Sequence, residues 1–322
     1  MSGKVNIAVI VGATATGKSA LSVAVAQRIK NAEIVTADSA QIYRGMNIGT
    51  AKPTLNEMGG VPHHMIDVAD IVETDFSVAK YKQLASSVIN DIASRGKIPI
   101  VAGGTGLYIN SITYPLSFQN IPPNIELREK FGAIEERNKG ALHELLTHID
   151  PERAALLHPN DIKRVIRALE IYYQSEIKPS SMDSDFVNDR GDETEFEPII
   201  VGLTMPRVEL YARINERVDK MMEAGLLDEV KGLLKAGYNS DSPAFSALGY
   251  RQLISYIEGS IDLKQAVEDI KLKTRRFAKR QETWFKRDKR ISWLKADSSG
   301  IGDSLLNETC DIFSERGLFT LK

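Results

Sequence analysis

The chain has 322 residues, 43% of them hydrophobic, 26% charged and 7% aromatic, enough for a full core plus an inserted or second small domain. No apolar run approaches the ~20 residues that cross a bilayer, and a single cysteine, Cys310, excludes an internal disulfide and an all-cysteine zinc site, so the expectation is a soluble protein of the reducing cytoplasm. The net charge of −2 conceals a basic stretch, with ten Lys or Arg against Glu282 and Asp288 over residues 271–290, and an acidic one, with seven acids against Arg190 over residues 183–197.

In chain order, residues 4–11 read as a buried strand that stops at Gly12, and 17–30 as the first helix. A second strand is expected at 33–36 and a short third at 62–68. Helical spacing of Val78, Tyr81, Leu84, Ala85, Val88, Ile89 and Ile92 marks a helix over 77–94, followed by a strand at 97–102. Strands alternating with helices indicate a parallel α/β sheet.

After Tyr114 the texture changes. Residues 121–178 are polar, helical in spacing and punctuated by Pro122-Pro123, Asp150-Pro151 and His158-Pro159, with no strand signal. The polar, acidic stretch 179–198 reads as a loop. Strand character returns at 199–203, and 208–235 reads as one long helix closed by Gly237. The expected organisation is an α/β, P-loop NTPase-like core of parallel strands over 1–115 and 199–322, interrupted by an all-helical insertion over 116–198.

Gly12-Ala13-Thr14-Ala15-Thr16-Gly17-Lys18-Ser19 is a complete G-x-x-x-x-G-K-[ST] loop placed between a strand and a helix, the context such a loop requires. Its backbone amides and the following helix N-terminus would cradle an anion. Lys18 would reach the outer phosphate, and the Ser19 hydroxyl would hold a Mg²⁺ bridging phosphate oxygens. The loop predicts phosphate binding without choosing among kinases, ATPases, GTPases and diphosphate-releasing transferases. Asp38 closes the next strand, where residues of an α/β sheet face the ligand crevice; a helix-capping role is the alternative for a lone Asp there.

Further blocks carry a resemblance. The loop, Asp38-Ser39-Ala40-Gln41-Ile42-Tyr43, Met46-Asn47-Ile48-Gly49-Thr50-Ala51-Lys52-Pro53, Pro62-His63-His64 and Gly103-Gly104-Thr105-Gly106-Leu107-Tyr108 follow one another in the order and spacing of the tRNA dimethylallyltransferase family. His158-Pro159-Asn160-Asp161 with Arg164, Arg167-Ala168-Leu169-Glu170 and Leu248-Gly249-Tyr250-Arg251-Gln252 continue it, so the resemblance covers residues 5–293. Ala13 stands where many members carry proline and Thr16 where serine is frequent, and both can still present amides. Some members add a C-terminal zinc finger, which one cysteine cannot build, and this implies the bacterial type.

The resemblance implies transfer of a dimethylallyl group from dimethylallyl diphosphate to the exocyclic N6 amine of the adenosine 3′ of the anticodon, with release of diphosphate. Gly12–Ser19 would hold the diphosphate, with Lys18 and Mg²⁺ neutralising the charge that grows on it. Asp38 would take a proton from the attacking amine, and Thr105 would bind the bridging region of the diphosphate or orient the base. Arg213 and Arg217, one helical turn apart, are expected at the diphosphate. The acceptor base must leave its stack to react. Contacts to the tRNA anticodon stem-loop are implied for Asp38, Ser39, Ala40, Gln41, Thr105, Arg128, Ile162, Lys163, Arg164, Val165 and Ile166, and for Ser246, Ala247, Leu248, Gly249, Tyr250 and Arg251.

The basic stretch is a hint of RNA that does not depend on the resemblance. Read as a helix, it gathers Lys273, Arg276, Arg280, Arg287 and Arg290 on one side and Phe277 and Trp284 on another. A solvated amphipathic helix is the alternative. His63-His64 read as a strand-edge pair in a structural role rather than a metal site, with His64 near the active site. No membrane partner is expected, and the chain is expected to act as a monomer. The rival readings are a P-loop small-molecule kinase, an adenylate isopentenyltransferase acting on free nucleotide, and a non-enzymatic RNA-binding module.

Overall fold

A computed structural model describes residues 4–73, 76–116, 121–182, 194–297 and 300–319. Six parallel strands form one sheet: β1 (Val5–Gly12), β2 (Ala32–Ala37), β3 (His63–His64), β4 (Ile98–Gly103), β5 (Phe196–Thr204) and β6 (Ser292–Lys295), in the spatial order β3-β2-β4-β1-β5-β6. The helices are α1 (Lys18–Ile29), α2 (Leu55–Met58), α3 (Val78–Ser94), α4 (Gly106–Thr113), α5 (Ile125–Arg137), α6 (Ala141–Ile149), α7 (Pro151–Leu156), α8 (Ile162–Ser175), α9 (Pro179–Met182), α10 (Arg207–Glu223), α11 (Leu226–Lys235), α12 (Tyr250–Ile257), α13 (Leu263–Phe285) and α14 (Asp303–Glu315), with a 3-10 turn at Pro243–Ser246.

The central strand shows why the sheet is covered on both faces. Ile7, Val9 and Val11 of β1 point into one apolar layer, shared with Tyr81 and Ala85 of α3, Tyr108 of α4, Leu253 of α12 and Ile270 of α13. Ala8 and Ile10 point into the other, shared with Leu21 of α1, Leu210 and Ile214 of α10 and Phe313 of α14. Successive side chains of a strand face opposite ways, so a strand buried on both sides reads as an unbroken apolar run.

The polypeptide divides into two compact units, residues 1–115 with 193–322 and residues 116–192. The second unit has a core of its own, built from Phe131, Leu142, Leu146, Leu157, Val165 and Leu169 across α5 to α8. Inside it the fully buried Glu170 accepts from Arg128 Nε (2.7 Å), Arg128 Nη2 (3.0 Å), Arg167 and the amide of Asn124. These donors hold its carboxyl below the usual range even though burial pushes the other way.

Four local expectations need correction. The span 208–235 is two helices, because Gly225 takes φ +94°, a left-handed conformation that ends one helix and starts the next with Leu226 turned into the core. The third strand is only the His63-His64 pair, on the edge of the sheet. The strand expected at 199–203 begins earlier, at Phe196. The expected loop opens with the short helix α9, and its residues 183–193 lie outside the described residues.

Candidate functional site

The carboxyl ends of β1, β2 and β4 bring three sequence blocks together. After β1, Gly12–Gly17 turns into α1. Thr16 Oγ1 and Lys18 Nζ both donate to Ala13 O, at 2.8 and 2.7 Å, which holds the turn closed from inside. The amides of Ala15, Gly17, Lys18 and Ser19 make no backbone hydrogen bond among the described residues, so they can face an anion at the start of α1. The amide of Thr14 differs, because it donates to Gln281 Oε1 at 2.8 Å.

Asp38 follows β2. Its Oδ1 accepts the amides of Ala40 (2.9 Å) and Gln41 (3.4 Å), an Asx-type turn that fixes the carboxylate in place. Oδ2 has no protein donor among the described residues. The helix-capping alternative does not hold, because turns follow Asp38 and the next helix starts only at Leu55; one oxygen fixes the turn and the other is left open to the crevice. After β4, the amide of Thr105 donates to Ala37 O (3.1 Å) and its Oγ1 accepts the amide of Ser39 (2.9 Å). The ends of β2 and β4 are thereby tied together beside Asp38. A Cβ on Gly103 would lie 2.0 Å from Ala37 O, so this approach of two backbones requires glycine.

Two cavities meet at this point. One, of about 610 Å³, is lined by Ala15, Lys18, Ser19, Gln41, His63, Gly103, Gly104, Arg213 and Gln281. The other, of about 550 Å³, is lined by Ser39, Ala40, Tyr43, Phe76, Thr105, Tyr108, Met221, Arg280 and residues 246–249. Thr14, Asp38, Arg217 and Phe277 border both. The first is a cationic phosphate-type cleft. The second presents aromatic rings, and Tyr108 is itself backed by Tyr81, stacked at 3.8 Å between centroids.

The electrostatics match the division. Lys18 and Arg217 are partly reachable by solvent but walled in by the cleft. Burial, reinforced by Arg217, lowers Lys18 from its ordinary 10.5 to about 8, with Asp38 pulling it back up. Burial likewise lowers Arg217, opposed by Asp38 and Glu57 and reinforced by Arg213. Cations held close together and away from water gain most from an anion placed between them.

Of the expected site residues, Gly12–Ser19, Asp38, Ser39, Ala40, Gln41, Thr105, Arg213, Arg217 and residues 246–249 gather here. Arg213 also donates to Asp297 O at 3.1 Å. Tyr250 does not offer its side chain: it is fully buried and its hydroxyl donates to Glu229 Oε1 at 2.5 Å. Val165 is likewise buried, in the core of the second unit, and Arg128 is held there by Glu170. Ile162, Lys163, Arg164 and Arg251 are exposed, and Ile166 is partly buried against that core. Of the two adjacent histidines, His63 lines the cleft, while His64 pairs with Glu33 at 2.8 Å. No group of three or more His, Cys, Asp or Glu that could hold a metal exists among the described residues. The exposed Ser19 hydroxyl at the start of α1 is the donor that would hold a magnesium ion beside an anion in the loop.

The basic stretch is only partly the face expected. α13 ends at Phe285, so Arg287 and Arg290 leave the helical register. Arg290 turns inward to Asp288, to Thr113 O (2.7 Å) and to the ring of Tyr114, 3.8 Å from its centroid. Lys273, Arg276 and Arg280 remain exposed, with Arg280 over the ring of Phe277. Sequence reasoning missed Gln281, a polar residue on the apolar stripe of Phe277, Ala278 and Phe285, and that misfit was the available signal.

The profile of the IPP transferase family matches residues 41–288. A tRNA dimethylallyltransferase of Alkaliphilus metalliredigens is 46% identical over 315 residues, covering 97% of this chain and 99% of its own length. One from Symbiobacterium thermophilum is 48% identical over 292 residues, covering 90% and 89%. Among solved structures, the full-length tRNA isopentenylpyrophosphate transferase of Bacillus halodurans superposes with a TM-score of 0.72 at 39% identity, over 97% of each chain. A eukaryotic dimethylallyltransferase captured acting on tRNA superposes at 0.79 with 28% identity, over 97% of this chain and 79% of its own.

Proposed function

The chain belongs to the IPP transferase family, and on that premise we propose that it transfers a dimethylallyl group from dimethylallyl diphosphate to N6 of the adenosine 3′ of the anticodon in tRNA. The observation that carries this reading is the meeting of the two cavities at Asp38. A diphosphate in the cationic cleft and a base among the aromatic rings of the other would bring their reacting atoms together beside its free oxygen.

Adenine N6 attacks the allylic carbon, the C–O bond to diphosphate breaks, and the electron pair leaves with the diphosphate. The amine is a poor nucleophile because its lone pair is shared with the ring, so the proton it sheds needs an acceptor in reach; Asp38 Oδ2 is that acceptor. Lys18, Arg217 and the loop amides stabilise the charge accumulating on the leaving group. Mg²⁺, held through Ser19, would add Lewis-acid neutralisation of the same oxygens. Tyr43, Tyr108 and Phe76 suit an unstacked base, which can lie against a ring when taken out of an RNA loop.

In the first unit, Lys273, Arg276 and Arg280 with residues 246–249 are the surface assigned to the anticodon stem-loop; Ile162, Lys163 and Arg164 are exposed on the second unit taken by itself. We assign the enzyme to the cytoplasm with its tRNA substrate, acting as a monomer. The test is transfer of labelled dimethylallyl from its diphosphate, with Mg²⁺, to an unmodified anticodon stem-loop or to free AMP. Label in the stem-loop is the expected result. Label in AMP alone would identify a nucleotide prenyltransferase, and phosphate transfer from ATP with no prenylation would identify a kinase.

A further inference from the structure

Gln281 is a buried side chain of α13 that reaches both turns of the site. Its Oε1 accepts the amide of Thr14 at 2.8 Å, and its Nε2 donates to Gly104 O at 2.9 Å. The residue is 6% exposed. Thr14 belongs to the phosphate loop and borders both cavities, whereas Gly104 precedes Thr105. A Cβ on Gly104 would lie 2.3 Å from Gln281 Nε2, and one on Gly106 would lie 2.1 Å from Trp284 Nε1. The glycines of this turn thus admit the inner face of α13, one turn apart along the helix.

We propose that Gln281 is a positioning residue that sets the spacing between the diphosphate cradle and the Thr105 turn. The two turns leave different strands, and the amide of Gln281 bridges them from the third side. One primary amide carries both an acceptor and a donor, as Thr14 N–H and Gly104 C=O require. Asparagine is one methylene shorter and cannot span both, and a carboxylate repels Gly104 O. Because α13 also carries Lys273, Arg276 and Arg280 outward, the helix that bears the RNA-facing cations is the one keyed to the phosphate loop. This rests on the prenyl-transfer reading, because it assigns the leaving group to one turn and the acceptor to the other.

The experiment is single-turnover transfer to the anticodon stem-loop at saturating dimethylallyl diphosphate, with wild type alongside Gln281→Met and Gln281→Glu. Methionine keeps the volume and removes both hydrogen bonds. A misplacement of order 1 Å at reacting atoms costs about 100-fold in rate, so Gln281→Met should transfer roughly 10- to 100-fold more slowly. Its KM for dimethylallyl diphosphate should stay within about threefold, and its melting temperature should fall by only a few degrees as Thr14 N–H and Gly104 C=O lose their partner. Gln281→Glu supplies a readout that a purely structural role would not move. When protonated, its carboxyl again donates to Gly104 O while accepting from Thr14, so its rate relative to wild type should climb as pH falls from about 8.5 to 5.5. A rate for Gln281→Met within twofold of wild type would overturn the proposal. So would a loss expressed only as a raised KM, which would make Gln281 a diphosphate-binding group. If the methionine variant fails to fold, a flat pH ratio for the glutamate variant overturns it alone. Transfer by wild type is required throughout; its absence would refute the function and not the role of Gln281.

Discussion

Thr105 Oγ1 accepts the amide hydrogen of Ser39 at 2.9 Å and donates to Ser39 Oγ at 3.2 Å. One hydroxyl therefore ties the residue after Asp38 to the turn after β4, and the position of the carboxylate depends on it. Thr105→Val keeps the shape and removes both bonds, so prenyl transfer should fall about 10- to 100-fold. Thr105→Ser should recover to within about threefold. Equal rates for valine and wild type would show that the tie does not matter to the chemistry.

Asp38→Asn retains an oxygen to accept the amides of Ala40 and Gln41 and removes the carboxylate proposed as the proton acceptor. Turnover should drop by about 10²–10⁴, while stem-loop affinity, read by filter binding, stays within about threefold. An asparagine variant with wild-type turnover would remove Asp38 as the base.

Lys18 has a pH signature. Burial and Arg217 lower it to about 8, and a bound diphosphate favours the charged ammonium and raises it again. Affinity for inorganic diphosphate should therefore be complete below about pH 8 and weaken ~tenfold per unit as pH rises past it. Folding responds in the opposite direction. The unfolded lysine holds its proton up to 10.5, so the penalty of burying the charge is full below 8 and fades between 8 and 10.5. Titration calorimetry from pH 7.5 to 9.5 measures the first effect, and in Lys18→Met the affinity should be weak and its slope flat.

The exposed cations of α13 should act through phosphate contacts. Replacing Lys273 or Arg276 by Ala should weaken stem-loop binding at low salt and reduce the slope of log K against log salt by about 1 for each charge removed. An unchanged slope in both variants would assign this face to solvent.

Glu229 of α11 accepts the amides of Asn47 (3.0 Å), Ile48 (2.8 Å) and Gly49 (3.3 Å) together with the hydroxyl of Tyr250. Gln41 Nε2 donates to Thr50 O and Ala51 O of the same stretch, each at 3.1 Å. The block 46–53 is thus a brace behind Asp38–Gln41 rather than a substrate surface along its whole length. Glu229→Ala leaves these donors unpaired and should cost about 2–3 kcal/mol in urea unfolding. A loss under 0.5 kcal/mol would show that water replaces the carboxylate without cost.

What the sequence determined by itself was whatever a few neighbouring residues encode. An apolar run ending in G-x-x-x-x-G-K-[ST] before a helix reads as a buried strand feeding an anion cradle, and Asp38 and the Gly-Gly-Thr-Gly block are legible because each closes a strand. Helical spacing likewise marked α3 and the segments of the second unit. Tertiary structure decided what depends on distant partners. Gln281 finds Thr14 across 267 residues and Gly104 across 177, Glu229 finds Asn47 across 182, and Arg290 turns away from the surface to Thr113. Tyr250 and Val165 lie in blocks whose order implied RNA contact, yet burial turns their side chains to the protein's own cores. Local spacing specifies backbone conformation and the face a residue takes on its own element. Which face of another element it meets is set by chain crossings that no short window of sequence contains, and the meeting of two cavities at one carboxylate is a property of those crossings.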